Sequence, residues 1–278
     1  MKVVYSHTEL RAERESLPEP FGLVPTMGYL HEGHLSLVRR AREECASVGV
    51  CIFVNPTQFG LQEDLDSYPS DLERDQRLLK AEAVDLLWIP GRSTLYRTGY
   101  QTWVDVEGLT SVLEGEHRPG HFRGVTTIVT KLFHNFQPAR AYFGQKDAQQ
   151  SLVIRRMVDD LDFPIEVVVC PTVREADGLA VSSRNAFLSS EQRKAASGLY
   201  RALQAASRAF RNGVLEADRL RDKMVEVAGA ESTARIQYVS VADPETLEEL
   251  DGRVERALLS MAVYFGETRL IDNVLVGT

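Results

Sequence analysis

The 278-residue sequence contains only three cysteines, Cys45, Cys51 and Cys170. They are odd in number, far apart and never form C-x-x-C, which argues against a disulfide framework or a cysteine-held metal and for a reducing compartment. No apolar run approaches the roughly 18 residues of a membrane span. The opening MKVVYSHTEL lacks the apolar stretch of a signal peptide, so none is expected. Glycine and proline, at 19 and 11, are too few for a collagenous or low-complexity chain. Positive charge is also short: 32 Lys and Arg against 40 Asp and Glu give a net charge of −8. Without a dense basic tract, the simplest argument for a nucleic-acid partner is missing. A soluble, cytoplasmic protein with no nucleic-acid or membrane partner is the expectation. What is there is ordinary globular material, 44% hydrophobic and 26% charged, long enough for one large or two smaller domains.

Through the first two-thirds of the chain, short apolar runs alternate with longer amphipathic ones. Strands are expected at Phe21–Val24, Val48–Val54, Val84–Ile89, Thr102–Val106, Ala141–Phe143 and Ile165–Cys170. Helices are expected at His31–Ala46, Asp71–Ala83, Val125–Phe136 and Ala148–Asp160. Such alternation reads as βαβ units around a parallel sheet. Val167–Cys170 lacks polar alternation, as a strand buried on both faces would, and Trp88 and Trp103 fall in strand patterns that place them in the core. After Pro171 the texture changes to a polar loop, helices near Ser190–Asn212 and Leu215–Ala228, and strand-like runs at Ile236–Val241, Arg256–Phe265 and Thr268–Val276. The expected architecture is therefore α/β, a Rossmann-like doubly wound parallel sheet over residues 1–173, followed by a smaller α+β domain over 174–278 acting as a lid, with the ligand in the cleft between them.

Four segments carry residue types suited to chemistry. In FGLVPTMGYLHEGHLSL, Phe21–Leu37, a strand ends at Met27, Gly28 turns the chain, and His31-Glu32-Gly33-His34 opens a helix. Histidines three apart share a helix face, Gly33 leaves room for close approach, and the helix N-terminus favours phosphate. An isolated H-x-x-H is most often two surface histidines, and the zinc-protease spacing is i, i+4 rather than i, i+3. With a strand and a glycine turn around it, nucleotide handling is the better reading. In FVNPTQFG, Phe53–Gly60, the residues Asn55, Thr57 and Gln58 project from a strand end, where open α/β sheets bind ligands. In AYFGQKDAQQ, Ala141–Gln150, another strand ends in Gly144, Gln145, Lys146 and Asp147, with Gln150 one turn on; Lys146 suits phosphate charge. In DGLAVSSRN, Asp177–Asn185, Ser182 and Ser183 offer hydroxyls and Arg184 a planar fork for phosphate or carboxylate, as in a flap closing on a polyanion. No G-x-S-x-G surrounds either serine, so neither reads as a nucleophile. The loop EGEHRPGHFRG, Glu114–Gly124, crowds His117, Arg118, His121 and Arg123 ahead of a helix, near a site entrance.

Together PTMGYLHEGH, FVNPTQFG, YPSDLERD, RPGHFRGVTTIVTKLF, FGQKDAQQ and DGLAVSSRN, with RLIDN near the end, resemble the pantothenate synthetase (pantoate–β-alanine ligase) family over nearly the whole chain. The H-x-G-H stretch alone would indicate only the broader superfamily of nucleotidyltransferases and class I aminoacyl-tRNA synthetases. The resemblance implies an ATP-dependent ligase that forms pantoyl adenylate from pantoate and ATP, then passes the acyl group to β-alanine. It implies ATP contacts from Met27, Gly28, Tyr29, Leu30, His31, Glu32, Gly33 and His34. Further contacts come from Gly144, Gln145, Lys146 and Asp147, and from Val173, Val181, Ser182, Ser183 and Arg184. His31, His34, Lys146 and Arg184 would be catalytic, with His34 the proton donor. Gln58 and Gln150 would hold pantoate, and Gln58 would lie beside β-alanine. It further implies a homodimer and Mg²⁺ carried largely by the triphosphate, with Asp75 as a protein-side contributor. Ser70 departs from the family pattern, which has Arg after Tyr68-Pro69. The amine of β-alanine must lose a proton, to Asp147 or to bulk water. Two competing readings are a nucleotidyltransferase that stops at an adenylated product and a non-catalytic ATP-binding module; an enzyme-specific need for transition-state charge stabilisation separates the last from a ligase.

Overall fold

The computed structural model describes residues 1–60, 65 and 68–277. Nine strands and nine α-helices are present among these residues. The strands are β1 (Lys2–Val4), β2 (Phe21–Thr26), β3 (Ser47–Ile52), β4 (Leu86–Trp88), β5 (Arg140–Gly144), β6 (Glu166–Cys170), β7 (Ala234–Ala242), β8 (Ala257–Phe265) and β9 (Thr268–Val276). The helices are α1 (His7–Glu15), α2 (Glu32–Glu44), α3 (Leu72–Ala81), α4 (Arg92–Leu95), α5 (Glu114–His117), α6 (His121–Phe136), α7 (Ala148–Asp160), α8 (Ser190–Arg211) and α9 (Ala217–Gly229). Two compact units result: Met1–Gly144 with Gln150–Pro171, and Gln145–Gln149 with Thr172–Thr278.

In the first unit six parallel strands run in the order β1-β4-β3-β2-β5-β6. The chain moves outward from β2 through β3 to β4, then restarts on the other side of β2 with β5 and β6. The strand order therefore reverses beside β2, and the carboxyl ends of β3, β2 and β5 are neighbours at the point where doubly wound sheets bind ligands. Every residue of β3 is buried, as a central strand covered on both faces requires. One face packs Phe21, Leu23 and Trp88 with Phe136 of α6 and residues of α7; the other packs Val24 and Val50 with Val38 of α2 and Leu79 of α3.

The sequence patterns identify these elements with three corrections. Thr102–Val106 is not a strand. The hydroxyl of Thr127 accepts from the Val104 N–H and that of Thr126 donates to the Val104 carbonyl, so α6 satisfies this backbone in place of a sheet neighbour. Trp103 lies accordingly at the surface, 37% exposed, with the Arg123 guanidinium 5.0 Å above its ring, and only Trp88 is core. β6 is an edge strand, and Val167–Val169 are half-buried rather than covered on both faces. β1, α1 and the one-turn helices α4 and α5, in turn, have no counterpart among the expected elements.

In the second unit β7, β8 and β9 form an antiparallel sheet. Leu259, Met261, Val263 and Phe265 alternate onto the face that packs against Leu199, Leu203, Leu220 and Met224 of α8 and α9. The helices and small sheet match the expected α+β arrangement.

In the first unit, Phe136 has no exposed surface and its ring meets those of Phe21 and Trp88 at 6.0 and 5.8 Å. Phe136→Ala is expected to cost about 3–5 kcal/mol, read as a lower urea midpoint by tryptophan fluorescence.

Candidate functional site

The turn after β2 is built around two successive residues in the left-handed region, Gly28 at φ +84° and Tyr29 at φ +51°. Glycine is required at the first: a Cβ there would lie 3.0 Å from Ile52 Cγ2 and 3.2 Å from Asp75 Oδ2. Tyr29 carries a strain cost that the surroundings must offset. Asp75, from the first turn of α3, does so: its two carboxylate oxygens accept from the Tyr29 and Leu30 N–H groups, each at 2.7 Å. Beside it, Arg74 Nη1 donates to the Leu30 carbonyl at 2.9 Å and stacks on the Tyr29 ring at 5.6 Å. Asp75 is 1% exposed, and burial raises its pKa while the two N–H donors and Arg74 oppose that rise.

Both oxygens of Asp75 are engaged by backbone, and among the described residues no group of three or more His, Cys, Asp and Glu side chains could hold a metal ion.

His31 is the N-cap of α2, in extended conformation, rather than part of its first turn. Its ring nevertheless stacks on that of His34, with centroids 4.0 Å apart and planes at 28°. The His31 N–H donates to Nδ1 of His34 at 3.4 Å. Nδ1 is thus the acceptor, and in the neutral ring the proton is on Nε2. Of the remaining expected loop residues, Leu30 is fully buried and offers only backbone. Glu32 is exposed and ion-paired with Arg39, so its carboxylate does not serve the turn.

At the end of β3, Asn55 is 1% exposed and organises the Pro56–Gln58 turn. Its Oδ1 accepts from Thr57 Oγ1 at 2.9 Å and Tyr96 OH at 3.0 Å, and its Nδ2 donates to the Gly124 carbonyl at 3.1 Å and Gln58 Oε1 at 3.2 Å. Among the described residues, Gln58 Nε2 then meets only the thioether of Met27, at 2.9 Å. The backbone of Gln58 is held from α6 and the turn before it: its carbonyl is 2.8 Å from His121 Nδ1 and 3.4 Å from Arg118 Nη2. Arg118 Nη1 is also 3.1 Å from His121 Nε2. A guanidinium can only donate, so Nε2 accepts and the proton of a neutral His121 is on Nδ1. α6 approaches this turn so closely that a Cβ on Gly124 would lie 2.4 Å from the Thr57 carbonyl oxygen. The Glu114–Gly124 stretch, expected from sequence as a loop near a site entrance, instead forms α5 and the start of α6, and Arg118 and His121 within it brace Gln58.

In the second unit, the short turn Gln145–Asp147 carries Lys146, whose Nζ is 3.2 Å from Asp147 Oδ1. Val173 and Val181 are brought together by the Val181 N–H donating to the Val173 carbonyl at 3.0 Å. Ser182 caps the Ser183–Phe187 turn, its Oγ accepting from the Arg184 N–H at 3.3 Å. Arg193 fastens this loop from α8 through Asp177 at 2.7 Å and Glu175 at 2.5 Å. That arginine pair holds the Asp177 carboxyl below its ordinary pKa. Gln150, in the first turn of α7, is half-buried in the first unit. Sequence reasoning missed the bracing roles of Asp75, Asn55, His121 and Arg118. All four lay in stretches already singled out, but nothing in their spacing marks a bond across 45 or 63 residues.

Comparison with known proteins gives concordant results. A family profile described as pantoate-beta-alanine ligase matches residues 2–275. The chain is 58% identical over 273 residues to the pantothenate synthetase of Roseiflexus sp. (strain RS-1), covering 98% of both chains. Its structure resembles the crystal structure of pantothenate synthetase from Thermus thermophilus, with TM-score 0.94, 51% identity and 99% of both chains covered. It also resembles a pantoate-beta-alanine ligase from Francisella tularensis complexed with beta-gamma ATP and beta-alanine, with TM-score 0.83, 34% identity, and 100% and 98% of the two chains covered.

Asp75→Asn replaces one acceptor by a donor facing an N–H. It is expected to cost about 1–3 kcal/mol and to speed amide exchange at Tyr29 and Leu30, followed by hydrogen–deuterium exchange mass spectrometry. Unchanged protection across residues 28–34 would remove the clamp.

Proposed function

The chain belongs to the pantoate–β-alanine ligase family and is a ligase that joins pantoate to β-alanine using ATP; we propose that it does so through pantoyl adenylate. A pantoate carboxylate oxygen attacks the α-phosphorus of ATP, the bond to the β-phosphate oxygen breaks, and pyrophosphate leaves. The β-alanine nitrogen then attacks the acyl carbon, the bond to the adenylate oxygen breaks, and AMP leaves as the amine loses its proton.

The observation that carries this reading is the His31–His34 pair at the N-terminus of α2, with rings 4.0 Å apart and the His34 proton on Nε2. A carboxylate is already ionised at neutral pH, so adenylation needs no general base. What it needs is alignment of two anions and donors for charge developing on the transferring phosphoryl group. Two imidazoles at a helix N-terminus meet that need, with the helix dipole favouring the same charge. Lys146 and Arg184 supply full positive charge for the phosphates, and the N–H groups around Gly144–Asp147 and Val181–Arg184 complete the ATP contacts. Magnesium accompanies the triphosphate as its counter-ion.

Gln58 suits pantoate for a physical reason. A thioether is a weak acceptor, so exchanging Met27 Sδ for a substrate oxygen strengthens the bond made by Gln58 Nε2. Asn55 keeps the amide oriented for that exchange. Gln150 serves pantoate as a second neutral amide, and Gln58 borders the β-alanine position. A cytoplasmic homodimer completes the reading. All three cysteines are free and buried, which suits a reducing compartment, and no helix among the described residues is long and apolar enough to cross a membrane.

The decisive experiment measures AMP formation from ATP with pantoate and β-alanine, each omitted in turn. Turnover should require both, and an undiminished rate without pantoate would overturn the ligase reading. A nucleotidyltransferase that stopped at its adenylated product would show pyrophosphate exchange without β-alanine-dependent AMP release. For the histidine role, His34→Ala should lower pantoate-dependent pyrophosphate exchange by about 10²–10³-fold, the loss typical of a missing transition-state donor. ATP affinity should change far less, and equal losses in the two would count against a transition-state role.

A further inference from the structure

The stretch RLIDN, Arg269–Asn273, supplies no group to the chemistry above, yet Asp272 and Asn273 are only 2% and 5% exposed. They are consecutive on β9, so their side chains leave opposite faces of the small sheet. Asp272 shares the helix-covered face with its cross-strand partner Met261. There it takes Arg174 in a two-pronged ion pair at 2.5 and 2.9 Å, while the guanidinium stacks 3.9 Å from the Tyr200 ring and donates to the Gly178 carbonyl at 3.1 Å. The loop that leads to Arg184 is thereby anchored at its base.

Asn273 points to the other face and commits its whole amide to one turn. Its Nδ2 donates to the carbonyls of Gln145 at 3.0 Å and Lys146 at 2.9 Å, and its Oδ1 accepts from Gln145 Nε2 at 3.0 Å. We propose that Asn273 is a positioning residue for Lys146, fixing the peptide from which that side chain reaches the phosphates. A lysine head on a flexible stem stabilises a transition state only as well as its backbone is placed, and displacements near 1 Å at reacting groups can cost about a hundredfold in rate. Three hydrogen bonds from a buried, short side chain supply that placement before substrate arrives. The inference rests on the assignment of Lys146 to ATP.

Asn273→Asp is isosteric but turns an oxygen toward two carbonyl oxygens that need a donor. In the full-length chain it should lower the rate of pantoate-dependent pyrophosphate exchange at least about tenfold while KM for pantoate stays close to that of the parent. A double-mutant cycle isolates the mechanism from general damage to the fold. With Asn273→Ala and Lys146→Ala, the double variant should be no slower than Lys146→Ala alone, because Asn273 acts through that lysine. Losses that multiply would overturn the positioning role, as would an Asn273→Asp enzyme with parental exchange rate. If Lys146→Ala itself turns over like the parent, the ATP assignment falls and the inference with it. If Lys146→Ala is impaired and Asn273→Asp is not, the inference alone falls. Thermal melts of each variant establish that folded protein is compared, and the Ala cycle stands if Asn273→Asp does not fold.

Discussion

A backbone that leaves regular structure to meet a ligand loses its ladder partners, and buried peptide groups must find others. Here a short acid or amide provides them at each functional turn. Asp75 holds the Tyr29 and Leu30 N–H groups, Asn55 holds the Thr57 N–H and the Gly124 carbonyl, Asn273 holds the Gln145 and Lys146 carbonyls, and Asp272 holds the Arg174 that ties down the Gly178 carbonyl. All four are at most 5% exposed. Asp and Asn have few rotamers to lose on burial, and their two polar atoms match paired backbone groups. Longer side chains would lose more conformational entropy for the same bonds.

This division of labour clarifies the net charge. An overall charge of −8 is no obstacle to binding two anions, because a few local cations and helix N-termini suffice to hold an anion. Asp75 and Asp272 add negative charge close to functional turns, but each is committed to N–H donors or an arginine. A buried carboxylate neutralised by its own donors contributes little field at distance, whereas breaking the pair would leave an uncompensated charge in low dielectric.

The division between what sequence shows and what only structure shows follows the range of each interaction. Strands β2, β3 and β5 were recognisable because apolar runs flanked by glycine and proline carry their signal within a few residues, as did helices with periodic faces such as α2 and α8. The chemistry-bearing types His34, Gln58 and Lys146 stood out because each follows such a run, and Arg184 because it closes a polar loop rich in hydroxyls. β1 did not, since three residues beginning with an exposed lysine carry no period. Thr102–Val106 misled because its alternation fits a strand, while its real partners are hydroxyls more than twenty residues away. The braces escaped for the same reason: Asp75 was named only through the family resemblance, and nothing local to it points to Tyr29 and Leu30, which the fold brings to it from 46 and 45 residues away. RLIDN was visible as a family resemblance but had no mechanism without the register that pairs β9 with β8.

Register also explains why those two functions fall to adjacent residues. The period of a strand is two, so Asp272 and Asn273 must face opposite ways, and each can meet a different loop without competing for space. A one-residue slip of β9 would exchange the two faces, turning Asn273 toward the helices and Asp272 toward the carbonyls of the Lys146 turn, where a carboxylate would be repelled. The apolar alternation of Leu270, Val274 and Val276 against the helix-covered face opposes that slip, since it would expose those side chains together with the aspartate. The hydrophobic packing of the second unit therefore does more than stabilise it. By fixing the register of one strand, it fixes which side chain braces the turn that carries Lys146.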